Sequence, residues 1–138
     1  MTSSLQNARR IVLVVEDEPT VLTVLVAALS QAGYAVWKAS SAEAALRLSR
    51  ESSEAVDLLL TDVMMPGMNG AELADRLLAE RPGMRVLFIA GMPDTVLIRG
   101  LLARGHALLP KPFRPLQLIR KVQDVLDGTG ARGATSST

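Results

Sequence analysis

Short apolar runs alternate with amphipathic segments along most of the chain. Residues 11–15 (IVLVV) form an unbroken run of β-branched and aliphatic side chains, which predicts a strand buried on both faces of a parallel sheet. Similar runs recur downstream. The five predicted strands cover residues 11–15, 34–38, 56–61, 86–89 and 107–109.

A helical pattern follows every predicted strand. Pro19 suits the first turn of a helix, and apolar residues then recur at helical spacing until Gly33. Four further helices are predicted: over 41–49 with Ser40 or Ser41 as its cap, around Leu73, Leu77 and Leu78 up to Arg81, from an Asp94 cap through 102, and around Leu116, Ile119, Val122 and Leu126. Five strand–helix units predict an α/β fold, a five-stranded parallel sheet with helices on both faces.

Composition agrees with one small domain. The chain has 138 residues, of which 49% are hydrophobic and only 3% aromatic, so the core should be aliphatic. We expect the domain to occupy residues 10–127, after an extension over 1–9. The stretch 128–138 is small and polar and is expected to be a disordered tail.

Charge and cysteine content exclude several classes. Fifteen basic and 14 acidic residues leave a formal charge of +1 without a basic run, so direct nucleic-acid binding is not expected. A membrane span needs about 20 apolar residues, and no apolar run approaches that length. The chain has no cysteine, which excludes disulfides and thiol chemistry. We therefore expect a cytoplasmic protein.

Three acids and a lysine stand where predicted strands end. Glu16 and Asp17 follow the first strand, Asp62 the third and Lys111 the fifth. Ligands of open α/β sheets bind at the carboxyl ends of the strands, so these side chains should converge. Clustered carboxylates favour a hard cation such as Mg²⁺, and a cation beside a lysine suits phosphoryl transfer to a carboxylate.

Three motifs, read in order, resemble the receiver domain of two-component response regulators. They are VLVVEDEP (12–19), LLLTDVMMPGMNG (58–70) and LLPKPF (108–113), and the resemblance covers about residues 10–127. It implies a flavodoxin-like fold with strand order 2-1-3-4-5. It also implies a signalling domain that catalyses its own aspartyl phosphorylation and dephosphorylation and is not a turnover enzyme.

The resemblance also assigns roles to residues. Asp62 would be the phosphoacceptor, and Lys111 would pair with the phosphoryl oxygens. Asp17, Asp62 and the Met64 backbone carbonyl would hold Mg²⁺, with Glu16 acting through a bound water. The Lys111–Pro112 bond is expected to be cis, and Gly67 and Gly70 are assigned to the turn into the third helix.

Two positions depart from the family pattern. Ala90 stands where receivers usually place Ser or Thr, and Leu108 stands where they usually place Tyr or Phe. The usual conformational switch uses that hydroxyl and that ring, so output should be weak or should travel through the phosphate-neighbouring Gly91 and Met92. Phosphate acceptance on Asp62 does not need either group.

The expected partners are a histidine kinase or histidine phosphotransfer protein and an unidentified downstream protein. The chain could serve as a single-domain regulator or a phosphorelay receiver, and a homodimer through the fourth and fifth helices is conceivable. The main alternative is a pseudo-receiver that binds protein without phosphate. A phosphohydrolase is disfavoured because Met64 stands where its second Asp would be, and a nucleotide carrier because the first turn is acidic.

The remaining polar and aromatic residues receive structural interpretations. Tyr34 and Trp37 are expected to pack near the second strand. His106 has no second nitrogen or sulfur ligand in sight and is expected to lie on the surface.

Overall fold

Five parallel strands form one sheet at the centre of the molecule. In the computed structural model, which describes residues 10–91 and 95–128, they are β1 (Ile11–Val15), β2 (Ala35–Ala39), β3 (Leu58–Asp62), β4 (Arg85–Ala90) and β5 (Ala107–Pro110). Their order is β2-β1-β3-β4-β5, and every neighbouring pair is parallel. The predicted fold class and the strand order implied by the resemblance are confirmed. The predicted extension over 1–9 and nearly all of the predicted tail lie outside the described residues.

Helices cover both faces of the sheet. They are α1 (Pro19–Gln31), α2 (Ala42–Arg50), α3 (Gly70–Glu80), α4 (Val96–Ala103) and α5 (Pro115–Leu126). The buried residues of α2, α3 and α4 join one core cluster, and those of α1 and α5 join another. Within residues 10–91 and 95–128, no helix is both long and apolar enough to span a membrane.

The central strands explain why the sequence reads as unbroken apolar runs. Successive strand residues point to opposite faces, so Leu13 and Leu59 enter one cluster while Val14 and Leu60 enter the other. All four are 0% exposed. Each such side chain contributes about 1.5–3 kcal/mol on burial, and polar alternation would forfeit that on one face. The expectation of an aliphatic core is confirmed.

Two strands begin later than predicted because the residue before each makes a different contact. The Tyr34 N–H donates to the Leu29 carbonyl, which closes the last turn of α1, so β2 starts at Ala35. Val56 is buried, but Asp57 accepts the Ile11 N–H on its carboxylate at 2.7 Å, and β3 starts at Leu58.

The ends and faces of the last two helices correct two predictions. Thr95 caps α4, since its hydroxyl accepts the Ile98 N–H at 3.1 Å; Asp94, the predicted cap, lies outside the described residues. In α5, Leu118 faces the sheet, whereas Leu116 is 59% exposed. The buried stripe contains Val122 and Leu126, as predicted, together with Leu118 and Val125.

The prediction that His106 lies on the surface is wrong. The residue is 7% exposed, and its ring meets Phe88 edge-on with centroids 5.3 Å apart. The backbone N–H of His106 donates to the Leu101 carbonyl, and this hydrogen bond holds the link between α4 and β5 against the core. Tyr34 and Trp37 pack near β2, as expected.

Arg81 joins the C-terminal ends of α2 and α3. Its guanidinium donates to the Ser49 hydroxyl at 2.7 Å and to the carbonyls of Ser49, Ser52 and Glu54 at 2.9, 3.0 and 2.6 Å. These carbonyls lie in the last turn of α2 or just after it, where backbone carbonyls lack a full set of intrahelical partners. Arg81 therefore stabilises the packing of the two helices.

We predict that Arg81→Ala lowers the free energy of unfolding by about 3 kcal/mol, because several charge-assisted hydrogen bonds to carbonyls are lost together. Urea denaturation measures the change. The matched control is Arg50→Ala, which removes an exposed bidentate pair with Glu80 and should cost much less. Equal losses in the two variants would contradict a special role for Arg81.

Candidate functional site

The carboxyl ends of β1, β3 and β5 bring the predicted charged residues together. Glu16 and Asp17 follow β1, Asp62 ends β3, and Lys111 follows β5. Carboxylate oxygens of the three acids all lie within 4.8 Å of one another. The register accounts for this, because β1 and β3 are neighbours with Val15 opposite Thr61.

Asp62 is held at both carboxylate oxygens. Its Oδ2 accepts a hydrogen bond from Lys111 Nζ at 2.8 Å, and its Oδ1 accepts one from the Met64 N–H at 3.1 Å. The residue is 6% exposed, so these contacts are largely shielded from water. The carboxylate therefore has a defined orientation towards the site.

Glu16 is buried with an incomplete set of partners. Its Oε2 accepts the Glu18 N–H at 3.1 Å, but its Oε1 is buried and accepts no hydrogen bond. Lys111 Nζ stands 3.7 Å from Oε1. Burial raises the pKa of Glu16 to about 7, and the negative charge of Asp62 raises it further. The hydrogen bond from the Glu18 N–H and the positive charge of Lys111 act in the opposite direction.

Lys111 reaches Asp62 from two strands away. Its backbone N–H donates to the Ala90 carbonyl at 2.9 Å, and the Lys111–Pro112 peptide bond is cis, as expected. Burial lowers the pKa of its ammonium, but the hydrogen bond and charge of Asp62 outweigh it, so that pKa lies above the usual value. Lys111 is therefore a fixed positive charge.

The other predicted site residues are placed unevenly. Asp17 contributes a carboxylate to the acidic cluster from a more exposed position. Met64 donates its N–H to Asp62, and its side chain is 69% exposed; the role of its carbonyl stays a prediction. Met92 lies outside the described residues.

The two unusual positions lie on the α4 side of the sheet. Ala90 is 2% exposed and provides no hydroxyl at the end of β4. Leu108 is partly buried and packs on the cluster of α2, α3 and α4, in register with Phe88. A Cβ added at Gly91 would meet nothing within 4 Å, so the site is open there.

The loop between β3 and α3 uses its two glycines differently. Gly67 has φ +75°, which suits the predicted turn. Gly70 is not in that conformation; it is the first residue of α3 and lies against the Asp62 backbone. This contact was not predicted from the sequence. A glycine directly after the Asn69 cap, at the first position of a helix, is the one sequence feature that hints at it.

The acidic cluster has the chemistry of a divalent-cation site. Three carboxylates face one ammonium, and the buried Oε1 of Glu16 lacks a partner. A hard cation coordinated by oxygen would compensate the excess negative charge, directly or through a bound water. The residues present therefore fit Mg²⁺.

This fold and site define a class, the flavodoxin-like α/β proteins with an acidic cluster at the switch in strand order. The sequence-family model of the response regulator receiver domain matches residues 12–123 of this chain. The chain belongs to that family, and the resemblance inferred from its three motifs is confirmed.

Several curated proteins are similar in sequence to this chain. It is 37% identical over 117 residues to the sensor kinase CckA of Brucella abortus (strain 2308), covering 84% of this chain and 12% of the kinase. It is 34% identical over 116 residues to the response regulator receiver protein CpdR of the same organism, covering 83% of this chain and 95% of that protein. The chain spans about half the length of two transcriptional regulatory proteins, from Bacillus subtilis (strain 168) and Mycobacterium tuberculosis (strain ATCC 25618 / H37Rv).

Solved structures show the same architecture. A response regulator receiver domain protein from Clostridium thermocellum superposes with a TM-score of 0.78 at 26% identity, covering 86% of this chain and 94% of that one. The sequence relatives also differ in length: the matched region is nearly all of CpdR but a small part of the sensor kinase.

We predict that Glu16→Gln stabilises the metal-free protein at pH 8 and changes it little below pH 4.5. The folded-state pKa of Glu16 is raised from 4.5 to about 7, so the native wild type binds more protons than the unfolded chain in that window. Its stability therefore falls as pH rises from 4.5 to about 7, and the glutamine removes this dependence.

Thermal unfolding in EDTA at several pH values measures the difference. Glu51→Gln, on the exposed end of α2, is the matched control: it removes a surface carboxylate and leaves Glu16 in place, so the fall in stability that Glu16 causes should remain. A Glu16→Gln protein whose melting temperature tracks the wild type at every pH would contradict the burial argument.

Proposed function

We propose that the chain is a phosphoacceptor receiver, phosphorylated on Asp62 by a histidine kinase or histidine phosphotransfer protein with Mg²⁺. The carrying observation is the 2.8 Å hydrogen bond between Lys111 Nζ and Asp62 Oδ2 beside two further carboxylates. The similarity to a sensor kinase's sequence and to a receiver protein supports such a partner. The chain would act as a single-domain regulator or a phosphorelay receiver.

The reaction is a displacement at phosphorus. An Asp62 carboxylate oxygen forms a bond to phosphorus while the P–N bond of the donor phosphohistidine breaks, and imidazole leaves with the electron pair. Lys111, which pairs with Asp62 at rest, then pairs with the phosphoryl oxygens. The chain catalyses only this transfer and the later loss of its own phosphoryl group.

The acidic cluster would hold the metal. Asp17, Asp62 and the Met64 carbonyl would coordinate Mg²⁺, with Glu16 acting through a bound water. When bound, the ion supplies positive charge against the phosphoryl oxygens. Without such charge Asp17 and Glu16 would repel an incoming phosphoryl group, so acceptance should depend on divalent metal.

Acceptance and output are separable in this chain. The charged side chains that would accept phosphate lie at the ends of β1, β3 and β5. The usual hydroxyl is absent at Ala90 in β4, and the usual ring is absent at Leu108, whose side chain packs on the cluster of α2, α3 and α4. This supports a receiver that takes phosphate without the usual shape change. A phosphate-independent pseudo-receiver is the alternative, and only Ala90 and Leu108 favour it.

We predict that acetyl phosphate with Mg²⁺ adds the mass of one phosphoryl group to the wild type and none to Asp62→Ala. Lys111 and the acidic cluster orient a single acceptor, so one site should account for all of the label. Intact-protein mass spectrometry measures it, and beryllofluoride binding gives an independent test.

Asp75→Ala is the matched control, because Asp75 is an exposed α3 acid that pairs with Arg104 at 3.0 Å. It should label like the wild type. A wild type that gains no phosphate and binds no beryllofluoride with Mg²⁺ present would favour the pseudo-receiver.

We further predict that beryllofluoride with Mg²⁺ shifts the NMR signals around Asp62 and Lys111 strongly and those of α4 and β5 weakly. Ala90 offers no hydroxyl to a phosphoryl oxygen, and Leu108 has no ring to turn inward. The double variant Ala90→Thr with Leu108→Tyr supplies both groups and should extend the shifts onto α4. Shifts on α4 of the wild type as large as those at the site would refute weak coupling.

A further inference from the structure

The first residue of α3 touches the backbone of the acceptor aspartate. A Cβ built at Gly70 would overlap the Asp62 carbonyl oxygen and would stand 3.0 Å from the Asp62 carbonyl carbon and 3.1 Å from Val63 Cα. These are backbone atoms, so no flexible side chain can move aside. Gly70 does not have positive φ, so the glycine is required for space and not for its conformation.

Other glycines of the chain do not share this constraint. A Cβ at Gly83, Gly91 or Gly100 would meet nothing within 4 Å. At Gly67, the nearest atom is a carboxylate oxygen of Glu43, 3.6 Å away at the end of a flexible side chain. Close approach to the acceptor strand is therefore specific to Gly70 among these five.

The contact cannot relax easily, because hydrogen bonds hold both sides of it. The Gly70 N–H donates to the Val63 carbonyl at 2.8 Å, and the Val63 N–H donates to the Ile89 carbonyl at 2.9 Å. Asn69 and Glu72 form a capping box that orders the first turn of α3. An added methyl group must displace either α3 or the segment that carries Asp62.

We propose that Gly70 is a positioning residue for the acceptor: its missing Cβ lets α3 fix the Asp62 carboxylate against Lys111 and the acidic cluster. The proposal rests on the phosphoacceptor function above. Asp62 Oδ1 accepts from the Met64 N–H of the same segment at 3.1 Å, whereas Oδ2 accepts from Lys111, beyond β5, at 2.8 Å. A displaced Asp62 segment therefore changes the geometry of the Lys111 contact. Misplacement of a reacting group by about 1 Å can cost about a hundredfold in rate.

The test compares Gly70→Ala with two controls. Gly100→Ala adds the same methyl group to a helical glycine with open space around it. Leu77→Ala removes a fully buried α3 side chain and loosens the helix without touching Asp62. All three are measured below their melting temperatures in trimethylamine N-oxide, which favours the folded state.

Two readouts distinguish positioning from loss of stability. One is Mg²⁺ affinity from an NMR titration of the unphosphorylated protein, together with the metal-free shifts of the Asp62–Met64 amides. The other is the maximal rate of phosphorylation by acetyl phosphate at saturating Mg²⁺. Gly70→Ala should shift those amides, weaken Mg²⁺ binding and slow the maximal rate by about tenfold or more. Both controls should keep the amide shifts, the Mg²⁺ affinity and the maximal rate of the wild type.

Three outcomes would overturn the proposal. In the first, Gly70→Ala keeps the wild-type Mg²⁺ affinity and amide shifts. In the second and third, Leu77→Ala or Gly100→Ala loses as much Mg²⁺ affinity as Gly70→Ala does. A wild type that binds Mg²⁺ but never gains phosphate would refute the proposed function instead, and the Mg²⁺ comparison would still decide the role of Gly70.

Discussion

A buried imbalance of charge governs this molecule. Glu16 and Asp62 are both almost inaccessible, and Asp17 adds a third carboxylate. Within residues 10–91 and 95–128, Lys111 is the ammonium that pairs with Glu16 and Asp62. Burial is the main reason why the pKa of Glu16 rises to about 7, and the negative charge of Asp62 adds to the rise. The buried Oε1 of Glu16 also accepts no hydrogen bond. The site is held ready for a further positive charge.

Strand order determines which side chains can share this edge. β1 and β3 are neighbours, so short acidic side chains from their ends meet directly. β5 is separated from β3 by β4, a distance of about 10 Å at the usual strand spacing. Only a long side chain can cross it, and Lys111 does so, while Ala90 occupies the end of the strand in between.

The sequence was sufficient for the sheet, the helices and the charged residues of the site. Strands buried on both faces leave unbroken apolar runs, and the acids directly after residues 15 and 61 could be placed from those runs alone. Errors arose where one contact decides the outcome. His106 is drawn inward by its backbone hydrogen bond to the Leu101 carbonyl, and Gly70 lies against Asp62, eight residues earlier in the chain. The periodicity of apolar residues predicts helices, strands and their buried faces, but it does not predict individual tertiary contacts of this kind.

The side chains of Ala90 and Leu108 lie apart from the contacts that orient the Asp62 carboxylate. Ala90 and Leu108 lie on the β4 and β5 side that faces α4, whereas the orientation of Asp62 comes from Met64, Lys111 and the packing of α3. Loss of the hydroxyl and the ring removes no group that touches the Asp62 carboxylate. The constraint on α3 is different, because it acts on the backbone of Asp62 itself. Under the proposed function, substitutions on the α4 side should change signalling output, and substitutions where α3 meets β3 should change phosphate acceptance.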